Sequence, residues 1–326
     1  MIPLSVLEPT PILPGMSLQT ALSDSVLVAE TAESCEFTRL WVTEHHGARD
    51  IASSTPPVLL AHIANKTKRI RLGAGGVMLP NHQPLLVAEQ FAALSALHPM
   101  RIDLAVGRAT GAGPSVKDLL ISDVESFSAR LDQLARLLRP GRGTWPPPGL
   151  HLDSPPPLYV LSASLDGAAL AAQKALALAF AYHLSPENAV PVIASYRERF
   201  ERSDTSSPYV IVSVAFACAE TRREARNILA DFLATKMALK GIYQAASPQE
   251  ASALLGAALG EAKAQMPLSF PEHFLVGDGT QVMEMIHRLL AATRADEVML
   301  LPMSFDARLR AQMLRMLKAA GAHAGK

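Results

Sequence analysis

Short stretches of three kinds carry residue types that could do chemistry, and each stretch follows a run of apolar residues. Glu44, His45 and His46 end the first run, and histidine exchanges a proton near neutral pH, so this tripeptide could serve acid–base catalysis. A pair of hydrogen-bonded structural histidines would give the same pattern. Neighbouring residues of an extended chain point in opposite directions, so His45 and His46 cannot both bind one ion. We therefore expect no metal site here.

The second stretch is rich in glycine. Gly73, Gly75 and Gly76 lie at the end of a short apolar run, where glycine is unfavourable unless the backbone must stay bare. A flat ring packed on the main chain, or an unusual backbone conformation, would supply that need. An ordinary bulge or turn explains the glycines equally well.

The third kind of stretch could bind an anion. The sequence GRATG follows one apolar run at residues 107–111, and SAS follows another at residues 162–164. Loops of this kind offer backbone N–H groups and hydroxyls to a phosphate, and Arg108 would add a charged contact. Neither stretch matches a P-loop or the dinucleotide-binding fingerprint.

These stretches belong to a regular alternation of strands and helices. Apolar runs of strand length recur between segments with helical periodicity. The eight predicted strands are residues 2–7, 39–42, 70–74, 101–106, 158–161, 176–182, 209–217 and 297–301. The alternation predicts a parallel α/β fold of one domain, residues 1–326. A (β/α)8 TIM barrel fits best, with a doubly wound open sheet as the alternative.

In such a barrel the active site lies at the carboxyl ends of the strands, where all three stretches fall. Residues 240–274, after strand seven, contain no recognisable strand and are long for a loop. We expect this insertion to be a mobile lid over the barrel mouth.

Composition excludes several classes of protein. The 326 residues include 30 basic and 30 acidic ones, so nothing favours binding to nucleic acid or to an anionic membrane. No secretory signal or apolar run of membrane-spanning length is recognisable. The two cysteines, Cys35 and Cys218, have no metal-type spacing and indicate free thiols in a reducing cytoplasm.

The motifs together resemble the bacterial luciferase-like monooxygenase family, and in particular its non-luminous flavin-dependent branch. The resemblance covers nearly the whole chain and is made by LWVTEHHG, RIRLGAGGVMLPNHQP, DLAVGRATG, SAS, VGDGTQV and DEVMLL. It implies a barrel that binds reduced FMN supplied by a flavin reductase. It also implies that O2 adds to the reduced FMN and that the resulting flavin hydroperoxide oxidises a moderately apolar organic substrate. Members of the family form homodimers, and the helix predicted at residues 84–97 is apolar on more than one face.

The resemblance also assigns roles to residues of the first two stretches. The family's catalytic histidine falls on His45, flanked by Glu44 and His46. The small residues that approach the flavin ring in the family, often across a non-prolyl cis peptide, fall on Ala74 and on Gly75-Gly76.

The phosphate-binding positions of the family fall on Arg108, Ser162 and Ser164. Gly107 replaces the reactive cysteine of luminous members, so we expect no light emission. Leu165 replaces a threonine that holds the phosphate in some members. Two alternatives keep the fold: an oxidoreductase that transfers hydride with a deazaflavin, and a flavin-binding protein without turnover.

Overall fold

Strands and helices alternate along the chain, as predicted. The computed structural model describes residues 2–113, 116–120, 127–138, 154–202, 207–241, 248–264 and 271–323. The strands are β1 (Leu4–Glu8), β2 (Arg39–Val42), β3 (Arg71–Met78), β4 (Ile102–Gly107), β5 (Leu158–Ser162), β6 (Ala177–Phe180), β7 (Val210–Cys218), β8 (Leu275–Gly277) and β9 (Glu297–Pro302). The helices are α1 (Leu18–Ser34), α2 (Pro56–Lys66), α3 (Pro84–Leu97), α4 (Phe127–Leu138), α5 (Leu165–Gln173), α6 (Ala189–Arg199), α7 (Arg222–Gly241), α8 (Pro248–Ala264), α9 (Gly279–Thr293) and α10 (Ala307–His323).

The sheet is a closed parallel barrel, which confirms the TIM-barrel prediction and excludes the open sheet. Strands β1 to β6 pair in sequence order, β7 pairs with β6 and β9, and β9 pairs with β1. These eight strands correspond to the eight that were predicted. The short strand β8 was not predicted; it pairs with the last residues of β7 and lies outside the ring.

The amino end of the barrel interior is closed by buried charges. Arg39 donates to Asp103 at 2.8 Å and to Glu297 at 2.8 and 3.0 Å. It also donates to the Tyr159 hydroxyl oxygen, and the Tyr209 hydroxyl donates to Glu297. Burial alone would lower the pKa of Arg39, but the two carboxylates raise it above its ordinary value. These paired charges lie at the end of the barrel opposite the loops that carry chemistry in barrels of this kind, so we assign them to the fold and not to the site.

The segment at residues 240–274 contains helix α8 and the last two residues of α7. Helix α7 ends at Gly241, and α8 packs on it through a small apolar cluster that includes Ala234, Ala238 and Ala262. Residues 242–247 and 265–270 lie outside the described residues. Within the described helices, none combines the length and apolar character needed to cross a membrane.

Candidate active site

A large cavity opens at the carboxyl ends of the barrel strands. Its volume is about 1160 Å³, slightly above the roughly 300–1,000 Å³ typical of small-molecule sites, so a cofactor and a second molecule can share it. Its wall is mainly apolar. Residues that form this wall include Pro11, Trp41, Ile51, Phe232, Met303 and Phe305.

Five residues predicted for the site line this cavity: His45, Gly75, Arg108, Ser162 and Ser164. Gly75 lies within β3 and Ser162 ends β5, whereas His45, Arg108 and Ser164 lie in the turns that follow β2, β4 and β5. Chain positions 45 to 164 are therefore brought to one surface because parallel barrel strands all end on the same side.

The other four predicted residues are not among the cavity-lining residues. Ala74 is fully buried in the core between barrel and helices, and Gly76 lies against β4. Glu44 contacts His46 and also His82, which lies in the turn after β3. His45 and His46 thus point apart, as expected for neighbours on an extended chain.

His45 is positioned by backbone contacts and surrounded by charge. Its backbone N–H donates to the Ser53 carbonyl oxygen at 2.9 Å. Burial lowers the pKa of His45 below its ordinary value; Asp50 opposes this shift and Lys236 adds to it. Asp50 and Lys236 form an ion pair and also line the cavity. The neutral imidazole is therefore the favoured form of His45 near neutral pH.

The glycines of β3 have no room for a side chain. The Gly75–Gly76 peptide bond is cis, as the resemblance implied. A Cβ atom on Gly75 would lie 2.7 Å from Trp41 Cε3, and one on Gly76 would lie 2.8 Å from the Ala105 carbonyl oxygen. The pairing of β3 with β4 is irregular between Gly75 and Val77. The bare backbone of Gly75 thus forms part of the cavity wall.

The amino end of α5 forms a polar corner of the cavity. Ser164 caps the helix by accepting the Gly167 N–H at 3.3 Å, and Ser162 Oγ accepts the Ser164 N–H at 3.1 Å. A helix amino terminus favours an anion. Arg108 is exposed and lines the same cavity. Asp166, in the first turn of α5, adds a negative charge that disfavours an anion there.

Glu44 and His46 belong to a second polar group, together with His82. The Nε2 atoms of His46 and His82 each lie 2.8 Å from Glu44 Oε1. His82 was missed in the sequence analysis, although it lies in the turn that follows β3. Position after a barrel strand was the signal that could have identified it.

Two further polar residues of the cavity were also missed. Thr43 Oγ1 is buried and has no hydrogen-bond partner among the described residues. His183, after β6, places Nδ1 3.0 Å from the Ser213 carbonyl oxygen. The Ser213 hydroxyl oxygen lies 3.1 Å from the same nitrogen. Both residues line the cavity.

The closed barrel and the cavity at its carboxyl end define an α/β-barrel protein with a site for small molecules. The sequence profile described as luciferase-like monooxygenase matches residues 3–297. The chain belongs to the luciferase-like monooxygenase family.

Relatives and a solved structure agree with this assignment. The luciferase-like monooxygenase of Escherichia coli (strain K12) is 33% identical over 94% of this chain and 93% of its own. The N-acetyl-S-alkylcysteine monooxygenase of Bacillus subtilis (strain 168) is 34% identical over 74% of this chain and 75% of its own. The crystal structure of apo-MsnO8 is 32% identical and superimposes with a TM-score of 0.85, covering 98% of this chain and 97% of that one.

Proposed function

We propose that this protein is a monooxygenase that uses reduced FMN and O2 to oxidise a moderately apolar organic substrate. The observation that carries the proposal is the shared cavity: His45 and the polar corner formed by Arg108, Ser162 and Ser164 line one space that is large enough for cofactor and substrate together. Membership of the family and the names of its relatives support an oxidoreductase.

The residues present fit a flavin phosphate at one end of the cavity and a flat ring nearby. The amino end of α5, with Ser164 as its cap, and Arg108 would hold the phosphate. The negative charge of Asp166 makes the amino end of α5 less favourable for a phosphate. We therefore assign the main charge contact with the phosphate to Arg108. The bare backbone of Gly75 gives a ring close access to β3, and the unpartnered Thr43 Oγ1 needs a hydrogen-bond partner that a ligand would provide.

Reduced FMN, when bound, supplies the electrons with which O2 is activated. His45 would hold or move a proton on the substrate side of the cavity, since its lowered pKa keeps the imidazole neutral and able to accept one. The apolar wall would exclude water from the reaction. It includes Phe232 and Phe305, whose stacked rings have centroids 5.1 Å apart.

The same proposal includes partners. A flavin reductase would deliver reduced FMN by diffusion, and a homodimer would form through α3. Leu86 and Leu97 of this helix are 55% and 72% exposed, which supports an interface there.

The proposal is tested by isotope incorporation. The protein is mixed with FMN, NADH, a flavin reductase, ¹⁸O2 and a panel of moderately apolar substrates that includes N-acetyl-S-alkylcysteines, by analogy with the Bacillus subtilis relative. Mass spectrometry should detect one ¹⁸O atom in a product, and none in the mixture without the protein. Turnover with a reduced deazaflavin and none with reduced FMN would instead establish hydride transfer. Tight FMN binding that leaves its reaction with O2 unchanged would indicate a flavin-binding protein without turnover.

A further inference from the structure

Glu44, His46 and His82 bring three potential metal ligands together beside the cavity. One ligand atom from each residue lies within 4.8 Å of the other two. Glu44 is fully buried, whereas the side chains of His46 and His82 are 19% and 32% exposed. The group is therefore buried on the carboxylate side and open to solvent on the imidazole side.

No metal site was expected from the sequence because adjacent histidines point apart, but His46 and His82 are not adjacent and both contact Glu44. We propose that this Glu44–His46–His82 cluster binds a divalent first-row metal ion, and that Zn²⁺ fits it best. Two imidazole nitrogens and one carboxylate oxygen form a ligand set that zinc accepts in proteins. Such a set leaves a fourth tetrahedral position, which water can fill from the exposed side of the two histidines.

The charge balance of the cluster supports a cation. Oxygen Oε1 of Glu44 accepts from both histidines, but the buried Oε2 has no hydrogen-bond partner among the described residues. A buried carboxylate oxygen without a partner is unfavourable. A cation held between this carboxylate and the two imidazoles would lie beside the buried carboxylate and offset its negative charge.

The distances from Glu44 to the two histidines are close to those between the ligands of a zinc site. Each Nε2 now lies 2.8 Å from Glu44 Oε1, and tetrahedral zinc would separate its ligand atoms by about 3.3 Å. Each Nε2 must lose the proton that it donates to the carboxylate. A neutral histidine does so by carrying its proton on Nδ1 instead, and a protonated one releases a proton to solvent.

The backbones that carry the two histidines are already fixed. The backbone N–H of His46 donates to the Gly111 carbonyl oxygen at 2.8 Å, and the His46 carbonyl oxygen accepts the Gly113 N–H at 3.0 Å. Arg130 Nη1 donates to the His82 carbonyl oxygen at 2.6 Å. This bond holds the backbone of His82 and does not involve its imidazole ring. The ion would thus join the end of β2 to the turn after β3, immediately next to His45. This structural role involves no flavin, so zinc binding and the proposed oxygenase activity can fail independently.

The test is a zinc titration of the full chain without an affinity tag, after removal of metals with a chelator. Zn²⁺ is added in competition with a metallochromic chelator of known affinity. We expect one equivalent to bind to the wild-type protein. Removing a residue that only holds a ligand in place weakens metal binding by about 10–100-fold. Glu44→Gln and His82→Gln change the ligands themselves, so each should weaken zinc binding by at least that much. His62→Gln, on the exposed side of α2, should bind as the wild type does.

Folding is checked separately. Circular dichroism of each variant establishes that it is folded, and His82→Gln is the safer variant because its side chain is partly exposed. Zinc should raise the Tm of the wild-type and His62→Gln proteins and leave that of His82→Gln unchanged. If wild-type protein binds zinc no more tightly than folded His82→Gln, the site is excluded and the three side chains form only a hydrogen-bonded group.

Discussion

A Cβ atom on Gly76 would lie 2.8 Å from the carbonyl oxygen of Ala105, in the neighbouring strand. That oxygen belongs to the backbone of a buried strand and cannot move cheaply. We expect Gly76→Ala to lower the free energy of unfolding by about 1–3 kcal/mol, as overpacking does elsewhere. Urea denaturation measures the loss.

Gly107 provides the matched control. A Cβ atom there would lie 3.4 Å from the flexible end of Met78, so Gly107→Ala should leave stability nearly unchanged. If both variants were equally stable, the close approach of β3 and β4 would not be what requires glycine at position 76.

His45 should control the rate and its dependence on pH. Removal of a positioned acid–base group costs about 100-fold or more in rate, so His45→Ala should fold and bind FMN but lose most oxidation. Burial lowers the pKa of His45 from its ordinary value of 6.5. The neutral form therefore persists below pH 6.5, and kcat/KM for the wild-type protein should fall only at more acidic pH.

Two comparisons make this expectation specific. The acid limb of the pH profile should disappear in the residual activity of His45→Ala. His62→Ala, which changes an exposed histidine of α2, should retain the wild-type profile. Full turnover in His45→Ala would make His45 a structural histidine.

The barrel itself was predictable because its strands are apolar on both faces. Strands covered by helices outside and packed inside read as continuous apolar runs, and β2 was predicted with its observed bounds, Arg39–Val42. The three residues of β8, Leu275–Gly277, are too few to show a period, and its pairing with β7 joins positions about sixty residues apart. Only tertiary structure defines that strand.

The candidate site was predictable to the level of strand ends and no further. Polar and glycine residues at the ends of β2 to β5 do meet, because the barrel brings those ends together. Which way each side chain points depends on local backbone detail, such as the irregularity of β3 beside Gly76. The contact between Glu44 and His82 spans 38 positions, and no pattern in the sequence specifies such a pair.

We expect the 240–274 insertion to act as a lid that shields the reaction from water. Its helix α8 packs on α7 through a small cluster of alanines together with Leu255 and Leu259, an apolar area that opening would expose. Limited proteolysis should cut first within residues 240–274 in the free protein, and more slowly with flavin and substrate bound. Equal rates in the two states would count against a lid.

The proposed homodimer predicts a mass change on substitution in α3. Leu86 is 55% exposed, and an introduced charge would be costly to bury in an interface. Light scattering at micromolar concentration should give a dimer for the wild-type protein and a monomer for Leu86→Glu. Leu254→Glu in α8, where the side chain is 45% exposed, should remain a dimer. A monomeric wild-type protein would remove the proposal.

Arg108 should distinguish FMN from a flavin that lacks the phosphate. It lines the cavity near the amino end of α5, where Ser164 caps the helix. One hydrogen bond to a charged group contributes about 1.5–3 kcal/mol, so Arg108→Ala should weaken binding of reduced FMN by roughly 10- to 150-fold. Asp166 lies at the same end of the cavity and opposes an anion, so Asp166→Asn should strengthen FMN binding. Riboflavin has no phosphate, and its affinity should hardly respond to either substitution. An equal loss for both flavins in Arg108→Ala would show that Arg108 supports the fold of the loop and that the phosphate binds elsewhere.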